Sequence, residues 1–345
     1  MTTRIGILGF AHGHVGMYCS RWIEMSHDRV SLAAGWDHDR ARLDTAVEAY
    51  GLTPRDSPAA LVARDDVDAV VIGAETNRHA DLVVAAAEAG KAIVLQKPIA
   101  TTMEDAARIV DAVRLSGVRF TLAWQMRIDP QNLKIKELLE SGLLGRLLMI
   151  RRRHGLSTHV WPDFDQSWHS DPEQNVGMWA DDASHAIDFL YWLLGMPETV
   201  YADIDTLLNP GIPDDHGIAI YRYADGAFAE AVGSFTCVAG ENTTEVVCEK
   251  GVIIQNYGDG PSCNVPRDDD RGLKWYLQES GEWTHSDIPS PADHSHRIFA
   301  LAEPLLEFLE DKRPTLATAE EGRDSLHMTL SCYAAAQNGR RISLR

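Results

Sequence analysis

Short apolar runs alternate with amphipathic stretches through the first third of the chain. Runs that are apolar on both faces predict buried parallel strands, and the stretches between them predict helices that cover both sides of one sheet. The predicted strands are 4–9, 30–36, 68–73 and 92–95, and the predicted helices are 14–25, 40–50, a short one that ends at 62, and 79–89.

The pattern changes after Trp124. A helix is predicted over 130–140, and a second amphipathic helix begins at Trp179 and is closed by Gly195 and Pro197. Apolar and polar side chains then alternate, which is typical of an antiparallel sheet with one covered face. The predicted strands are 147–153, 199–207, 216–223, 227–235 and 243–248.

At 345 residues the chain is longer than most single cores, so two domains are expected. The fold class is predicted to be α/β. Residues 1–123 are expected to form a parallel sheet covered by helices on both sides, and residues 124–345 an α+β domain with a largely antiparallel sheet.

The first strand–turn–helix has the pattern of a dinucleotide site, in which N–H groups at a helix N-terminus bind pyrophosphate and an acid after the second strand binds ribose hydroxyls. In the G-x-G-x-x-G frame the positions are Gly9, Ala11 and His14, so the motif is degenerate but usable. The acid is Asp37, which favours NAD over NADP although Arg40 nearby softens the repulsion of a 2′-phosphate. A βα turn without nucleotide is the alternative.

Ligands of parallel sheets lie beyond the carboxyl ends of the strands, so the loops that follow the strands are expected to face the cofactor. Lys97 interrupts an apolar strand end just before a proline, and a solvated loop lysine is the alternative there. The expected cofactor-binding residues are Gly9, Phe10, Ala11, His12, His14, Asp37, Arg40, Glu75, Thr76, Asn77, His79, Gln96 and Lys97.

Asp181 and His185 lie four residues apart on the helix that begins at Trp179, so they share a face and can touch. A carboxylate beside an imidazole stabilises the protonated ring and orients it, which suits a general base near neutral pH. A purely structural helix pair is the alternative.

The chain also resembles the Gfo/Idh/MocA oxidoreductases over nearly its whole length. The resemblance lies in residues 5–9, Asp37, 68–71, 77–79, 89–91, 96–100, 127–130, 141–145, Trp168, 177–188, 192–195, 308–310, 334–335 and 339–342. It implies a Rossmann domain, a second domain whose open sheet forms oligomer contacts, and a catalytic set of Lys97, Asp181 and His185. Three departures stand out: Gln96 replaces a glutamate, Ala183 replaces a glycine, and Glu75-Thr76-Asn77 lacks the proline usual before the asparagine.

The stretch 154–174 is irregular and rich in His, Trp and Asp. Aromatic planes with polar tips suit sugar rings and other polyols, and a loop that covers a hydrophobic edge is the alternative. The expected substrate-binding residues are Lys97, Gln125, Arg127, His154, His159, Trp161, Trp168, His169, Asp181 and His185.

A formal charge of −19 argues against nucleic acid or an anionic membrane surface as a partner. The scattered cysteines, Cys19, Cys237, Cys248, Cys263 and Cys332, suggest neither a disulfide framework nor a thiolate metal site. Without a signal segment or a long apolar run, a cytoplasmic protein is expected.

The predicted function is an NAD(P)-dependent oxidoreductase that transfers a hydride between nicotinamide and a secondary alcohol of a sugar, inositol or related polyol. His185 accepts the proton and Lys97 stabilises the alkoxide. NAD is the expected cofactor, no metal is expected, and the assembly is expected to be a homodimer or homotetramer. The alternatives are an NAD-dependent glycosidase or lyase that oxidises its substrate transiently, a non-enzymatic NAD-binding regulator, and a metal site built from Asp181, His185 and a loop histidine.

Overall fold

A computed structural model describes residues 2–25, 28–237, 242–257, 272–291 and 294–345. The chain divides into two compact units. The first contains residues 1–125, 173–175 and 298–326, and the second contains residues 126–172, 176–297 and 327–345. Thus the first unit is not one continuous segment that ends at 123, because part of the C-terminal region also belongs to it.

The sheet of the first unit has six strands, all parallel, in the order β3-β2-β1-β4-β5-β6. This is the predicted Rossmann-like sheet. Its strands are β1 (Thr3–Leu8), β2 (Val30–Trp36), β3 (Thr53–Pro54), β4 (Ala69–Ile72), β5 (Ala92–Leu95) and β6 (Phe120–Leu122). The helices that alternate with them are α1 (Gly13–Glu24), α2 (Arg40–Tyr50), α3 (Pro58–Val62), α4 (His79–Glu88) and α5 (Met103–Ser116).

Local sequence explains these elements. Every residue of β4 and β5 is buried, as expected for strands with helices on both faces. Helix α2 begins at Arg40 because the Asp39 side chain accepts hydrogen bonds from the N–H groups of Ala41 and Arg42. It ends at Gly51, whose φ of 67° is the left-handed conformation that glycine adopts readily.

The sheet of the second unit has nine strands in the order β14-β13-β12-β11-β7-β10-β9-β8-β15. Only the pair of β7 and β10 is parallel among the strand pairs described, so the sheet is largely antiparallel as predicted. The strands are β7 (Leu147–Gly155), β8 (Thr199–Asp205), β9 (His216–Arg222), β10 (Phe228–Ser234), β11 (Asn242–Cys248), β12 (Gly251–Tyr257), β13 (Leu273–Leu277), β14 (Glu282–His285) and β15 (Ile342–Ser343). The remaining helices are α6 (Pro130–Glu140), α7 (Pro172–Asn175), α8 (Ser184–Leu194), α9 (His294–Leu309) and α10 (Ala319–Asn338).

One face of this sheet carries the core of the second unit. The core joins the sheet to three helices and includes Ala219, Ala231 and Val246 of the sheet, Ile135 of α6, Ile187 of α8 and Met328 of α10. On the other face Ile218 is 49% exposed, and Tyr201 and Phe228 are exposed to a similar degree. The second face is therefore an open sheet surface with apolar side chains.

The helix predicted from Trp179 begins differently from expectation. Residues Trp179–Ala183 form one π-helical turn, and the regular helix α8 starts at Ser184. This wide turn packs against β9 and β10 where Gly217 and Gly233 face each other, since a Cβ on Gly217 would lie 2.5 Å from the Trp179 ring. π-turns of this kind are frequent at functional sites.

Two further findings concern the described part of the chain. None of its helices is long and apolar enough to cross a membrane. Cys19, Cys237, Cys248 and Cys332 carry free thiols, and Cys263 lies outside the described residues.

Candidate active site

The turn after β1 is fixed by neighbouring strands. Gly9 donates its N–H to the carbonyl of Trp36 at 2.8 Å, and His12 donates to the carbonyl of Gly73 at 2.9 Å. The φ of Gly9 is +93°, and a Cβ there would lie 2.5 Å from the backbone of Ala74. Glycine is therefore required at the first position of the degenerate fingerprint, both for its conformation and for this close approach.

Helix α1 begins at Gly13, one residue before the predicted start, and its first turn carries no acidic residue. A Cβ on Gly13 would meet nothing within 4 Å, so open space adjoins this helix N-terminus. N–H groups and the positive end of the helix dipole at such a terminus suit a pyrophosphate, so these residues fit a dinucleotide.

His14 holds the third position of the fingerprint, where a glycine usually allows close packing. Its ring packs edge-on against the ring of His12, with centroids 4.3 Å apart. Gly16 allows the close approach of α1 to α2 instead, because a Cβ there would lie 2.8 Å from the hydroxyl of Tyr50. The fingerprint frame alone does not reveal this role of Gly16.

Asp37 lies at the end of β2 as predicted, and it is buried and heavily hydrogen-bonded. Its Oδ2 accepts from the N–H of Phe10 at 2.7 Å, and its Oδ1 accepts from the N–H of Asp39 at 2.8 Å. Arg42 binds both oxygens, through Nε and Nη2, at 2.7 Å each. Burial would raise the pKa of the Asp37 carboxyl, but the hydrogen bonds from Arg42 and the backbone outweigh burial and lower it.

The arginine beside Asp37 is therefore Arg42, and the prediction of Arg40 was wrong in this respect. Arg40 forms an exposed pair with Asp44, 2.9 Å away and one turn further along α2. Arg42 lies in the first turn of α2, where its side chain reaches back to the end of β2. An arginine five residues after the acid is a weak sequence signal, because the direction of its side chain is not visible in the spacing.

The ring of His79 lies between carbonyl groups of the loops after β4 and β5. Its Nδ1 lies 3.0 Å from the carbonyl oxygen of Pro98, and its Nε2 lies 3.2 Å from that of Ala74. Burial lowers the pKa of His79 to about 4, so the ring is neutral at physiological pH. A neutral imidazole has one N–H, so His79 donates to one of these carbonyl oxygens and lies buried between the two loops expected to face the cofactor.

Other residues predicted in these loops have different surroundings. Gln96 is fully buried and donates to the hydroxyl of Tyr18 at 2.9 Å, while Thr76 donates to Asn175 Oδ1 at 3.1 Å. Asn77 is exposed. Burial raises the pKa of the Tyr18 hydroxyl, which stays protonated in this contact.

Lys97 follows β5 and is only 2% exposed. This burial excludes the alternative of a solvated loop lysine. A buried ammonium is costly unless it has polar partners or a chemical task, and such lysines are candidates for functional sites.

In the second unit, Asp181 contacts His169. The buried Oδ2 of Asp181 lies 2.5 Å from Nδ1 of His169, whose side chain is 25% exposed. An ionised carboxylate can only accept, so it holds the proton on Nδ1 of that ring. His169 was predicted as a substrate residue, and its contact with Asp181 crosses from the irregular loop to the π-turn.

His185 is buried in the first turn of α8. Its Nε2 lies 4.0 Å from Oδ1 of Asp182, and its ring stacks on that of His154, with centroids 5.3 Å apart. The predicted pairing with Asp181 assumed regular α-helical spacing, whereas the intervening residues lie in a π-turn. The structure thus adds Asp182 and His154 to the surroundings of the predicted proton acceptor.

The stretch 154–174 forms short 3₁₀ turns that bring aromatic rings together. His169 stacks on Trp168, with ring centroids 3.9 Å apart, and on Phe164, with centroids 6.1 Å apart. Trp161 meets Phe164 edge-on at 5.6 Å and is 42% exposed. A continuous aromatic surface therefore leads from the Asp181 contact toward solvent.

A cavity of about 380 Å3 adjoins this surface. It is lined by His159, Trp161, Phe164, Asp165, Leu208 and Asn209. Asp215 holds the last two in place by accepting from the N–H groups of Leu208 and Asn209 at 2.9 and 2.8 Å. Leu208 and Asn209 were missed, because a connection between two strands gives no sequence signal of where it packs.

Arg127 was predicted to bind substrate, but it forms a buried, bidentate ion pair with Asp188 of α8. Its Nε donates to Oδ2 at 3.0 Å and its Nη2 donates to Oδ1 at 2.8 Å. This contact gives Arg127 a structural role beside the turn that carries His185. Gln125, another predicted substrate residue, is fully buried.

Asp214 anchors the π-turn and was not predicted. Its carboxylate accepts from the N–H of Trp179 at 2.6 Å and from the hydroxyl of Tyr333 at 2.8 Å. Burial raises the pKa of Asp214 to about 6. Gly177 leaves room for it, since a Cβ there would lie 2.0 Å from Asp214 Oδ2.

A larger cavity, of about 630 Å3, lies at the amino ends of β1 and β4, away from the loops described above. Several of its charged side chains are paired, among them Arg4 with Asp68 and Arg29 with Glu310. The position at the wrong end of the parallel strands argues against a dinucleotide site there. Within the described residues, no three His, Cys, Asp or Glu side chains are grouped to hold a metal ion.

A six-stranded parallel sheet whose first turn suits a dinucleotide defines the class of Rossmann-fold dinucleotide-binding proteins. The family model described as "Oxidoreductase family, NAD-binding Rossmann fold" matches residues 3–123, and that of the GFO/IDH/MocA C-terminal domain matches residues 132–254. The chain belongs to the Gfo/Idh/MocA oxidoreductase family.

Among its relatives, inositol 2-dehydrogenase 3 of Saccharopolyspora erythraea is 34% identical over 260 residues, which are 73% of each chain. Myo-inositol 2-dehydrogenase of Thermotoga maritima is 26% identical over 282 residues, 79% of this chain and 81% of the relative. The WlbA dehydrogenase of Bordetella pertussis, solved with NADH and UDP-GlcNAcA, shares the fold with a TM-score of 0.80, at 24% identity and over 100% of this chain and 99% of that one.

Proposed function

We propose that this protein is an NAD-dependent dehydrogenase that oxidises a secondary alcohol of inositol, or of a related polyol or sugar. The observation that carries the proposal is the burial of the three groups that such a reaction needs, Lys97, Asp181 and His185, each at most 2% exposed. The inositol dehydrogenases among its relatives support the choice of substrate class.

The residues that would hold the dinucleotide are the turn from Gly9 to His12, the N-terminus of α1 and Asp37. The close approach at Gly9 and the open space at Gly13 support this assignment. Bound NAD supplies the acceptor for a hydride from the alcohol carbon. The protein has to bind the alcohol, exclude water and remove the hydroxyl proton.

His185 is the proposed acceptor of that proton. As the hydride leaves the carbon with its electron pair, the O–H proton moves to the imidazole and a carbonyl forms. Asp182, whose Oδ1 lies 4.0 Å from Nε2 of His185, would stabilise the resulting imidazolium, and Asp181 is proposed to contribute from the preceding turn. The stacked ring of His154 limits the orientations that His185 can adopt.

Lys97 is proposed to stabilise the oxygen from which the proton leaves. A fixed positive charge in a water-poor site stabilises a developing alkoxide strongly, because little solvent screens it. The burial of Lys97 supports this role.

The aromatic surface of Trp161, Phe164 and Trp168 is proposed to bind the polyol ring. The adjoining cavity of about 380 Å3 is within the range of small-molecule sites, and His159, Asp165 and Asn209 supply polar groups for hydroxyls.

The test is a panel of inositols, sugars and sugar acids with NAD⁺ and NADP⁺, followed by the absorbance of the reduced nicotinamide. We expect oxidation of at least one inositol or sugar with NAD⁺. His185→Ala should lower kcat by about 10²- to 10⁴-fold, and Lys97→Ala by at least as much, with NADH affinity near that of the wild type for His185→Ala. Lys250→Ala, at an exposed lysine, is the control. Substantial activity in both the His185 and Lys97 variants would contradict the mechanism.

A further inference from the structure

We infer that Glu75 determines the preference for NAD over NADP by competing for the guanidinium of Arg42. The inference rests on the proposed function, since it concerns the cofactor of the same enzyme. Glu75 follows β4 and is 3% exposed, and its Oε1 accepts from Arg42 Nη2 at 2.8 Å. Arg42 is thus shared between Glu75 and Asp37.

The bonding of Asp37 shows how closely Arg42 is held. Each carboxylate oxygen has about two acceptor sites. Oδ2 already accepts from Phe10 N and Arg42 Nε, and Oδ1 accepts from Asp39 N and Arg42 Nη2. Arg42 therefore occupies two of the about four acceptor sites of Asp37, the residue assigned to the ribose. A group that binds Asp37 at these two sites must displace Arg42.

A histidine and a second arginine lie beside the same pair of acids. His38 Nδ1 is 3.4 Å from Asp37 Oδ1 and 3.5 Å from Glu75 Oε2, and Arg78 Nε is 3.5 Å from Glu75 Oε2. The Arg42 side chain is 26% exposed, while both acids are nearly inaccessible. Solvent thus reaches the Arg42 side chain more easily than the two carboxylates.

This arrangement penalises a 2′-phosphate in two ways. Arginine is the side chain best suited to bind phosphate by two parallel hydrogen bonds, but here both acids already hold it. The carboxylate of Glu75 also adds negative charge beside that of Asp37, which repels a phosphate. A ribose hydroxyl suffers no such repulsion. Removal of the Glu75 charge should leave Arg42 bound to Asp37 alone and release its Nη2 bond to Glu75, so that this N–H can bind a phosphate.

The test measures dissociation constants of NADH and NADPH by fluorescence titration, which needs no turnover. The variants are Glu75→Gln, Arg42→Ala and the double variant, and the control is Glu24→Gln, which removes a surface acid paired with Arg21. We expect Glu75→Gln to improve NADPH binding relative to NADH by about tenfold or more, and Arg42→Ala to abolish most of that gain. Glu24→Gln should leave the ratio unchanged.

An unchanged ratio in Glu75→Gln would overturn the inference, as would an equal gain with and without Arg42, since the gain would then come from charge removal alone. Either result is compatible with the proposed dehydrogenase. Failure of the wild type to bind both dinucleotides would contradict the proposed function, and the inference with it.

Discussion

His169 brings a ring from the irregular loop onto the buried carboxylate of Asp181. Trp168 and Phe164 pack on the same ring, so the imidazole is fixed from two sides. We therefore regard His169 as a positioning residue that sets the orientation of Asp181. The sequence indicated Asp181 as a catalytic residue, but not this partner, because a contact between a loop and a helix twelve residues later leaves no periodic signal.

His169→Ala should lower kcat about tenfold or more through loss of the hydrogen bond to Asp181, with little change in NADH affinity. His169→Asn should restore much of the loss, because its amide N–H can replace Nδ1–H. Steady-state kinetics and NADH titration check this. Equal losses in the alanine and asparagine variants would contradict a role through Nδ1.

Lys97 could be predicted as a candidate site residue, because it follows an apolar strand and belongs to a motif shared with the Gfo/Idh/MocA family. Its burial was not predictable, because residue spacing does not show which segments of the chain pack around a side chain. For the arginine beside Asp37 the residue itself was not predictable. The sequence indicates Arg40, whereas Arg42 of the same helix forms the ion pair. Which of two neighbouring arginines reaches an acid depends on rotation about the helix axis, which is sensitive to its start.

At the scale of the elements, Gly233 of β10 explains how the π-turn accommodates Ala183. A Cβ on Gly233 would lie 3.1 Å from the Cβ of Ala183 and 3.3 Å from Cζ3 of Trp179. The absence of a side chain on Gly233 thus provides the space for the methyl group of Ala183. The departure from the usual glycine at position 183 is therefore compatible with this packing.

Gly233→Ala should destabilise the protein by about 1–3 kcal/mol, as overpacked cores do. Ala183→Gly in the same chain should recover part of this loss, because it removes the opposing methyl group. Urea unfolding of the two single variants and the double variant measures the coupling. Strict additivity of the two changes in unfolding free energy would contradict the packing account.

The lowered pKa of buried His79 predicts that the stability of the protein depends on pH. The pKa of His79 is about 4 in the folded chain, below the ordinary value of 6.5. Between pH 4 and 6.5 the unfolded chain therefore binds a proton that the folded chain does not. The contribution of His79 to the free energy of unfolding is therefore complete above about pH 6.5. It decreases by about 3 kcal/mol as the pH falls toward 4. Relative to wild type, His79→Asn should lose less stability on acidification from pH 7.5 to 4.5 in urea unfolding. Parallel losses in both proteins would contradict this.

Elements with strong local signals were predicted closely. The observed bounds of β2, α2, β5 and α6 are the predicted ones, since their ends are set by local residues such as Asp39 and Gly51. Strands β12 to β14 and helix α5 were not predicted. The π-turn was read as part of a regular helix, because a single extra residue per turn barely alters the apolar pattern.

At the scale of the whole molecule, the C-terminal region contributes to both units. Residues 298–326 belong with the first unit, where Arg29 pairs with Glu303 and Glu310, and Trp22 donates to the carbonyl of Ala302. These partners are about 280 residues apart, so no local pattern predicts them. The fold class was predictable because it follows from the order of elements.

The open face of the second sheet is the proposed oligomer contact. Ile218, Tyr201 and Phe228 are exposed on strands whose other side forms the core. An apolar sheet face of this kind usually marks an interaction surface. Ile218→Glu should convert a homodimer or homotetramer to smaller species in sedimentation, whereas Leu115→Glu, at an exposed leucine of α5, should not. A monomeric wild type at micromolar concentration would contradict the proposal.

In the proposed reaction the enzyme removes a hydride from a polyol carbon while its own residues take the hydroxyl proton. Mass spectrometry of the cofactor after reaction of NAD⁺ with a carbon-deuterated inositol, or with another substrate found in the panel, tests it most directly. We predict that the reduced cofactor carries the deuterium and accumulates together with the ketone, at a rate that falls sharply in Lys97→Ala. Unlabelled reduced cofactor, or turnover of the polyol without accumulation of reduced cofactor, would contradict this reaction.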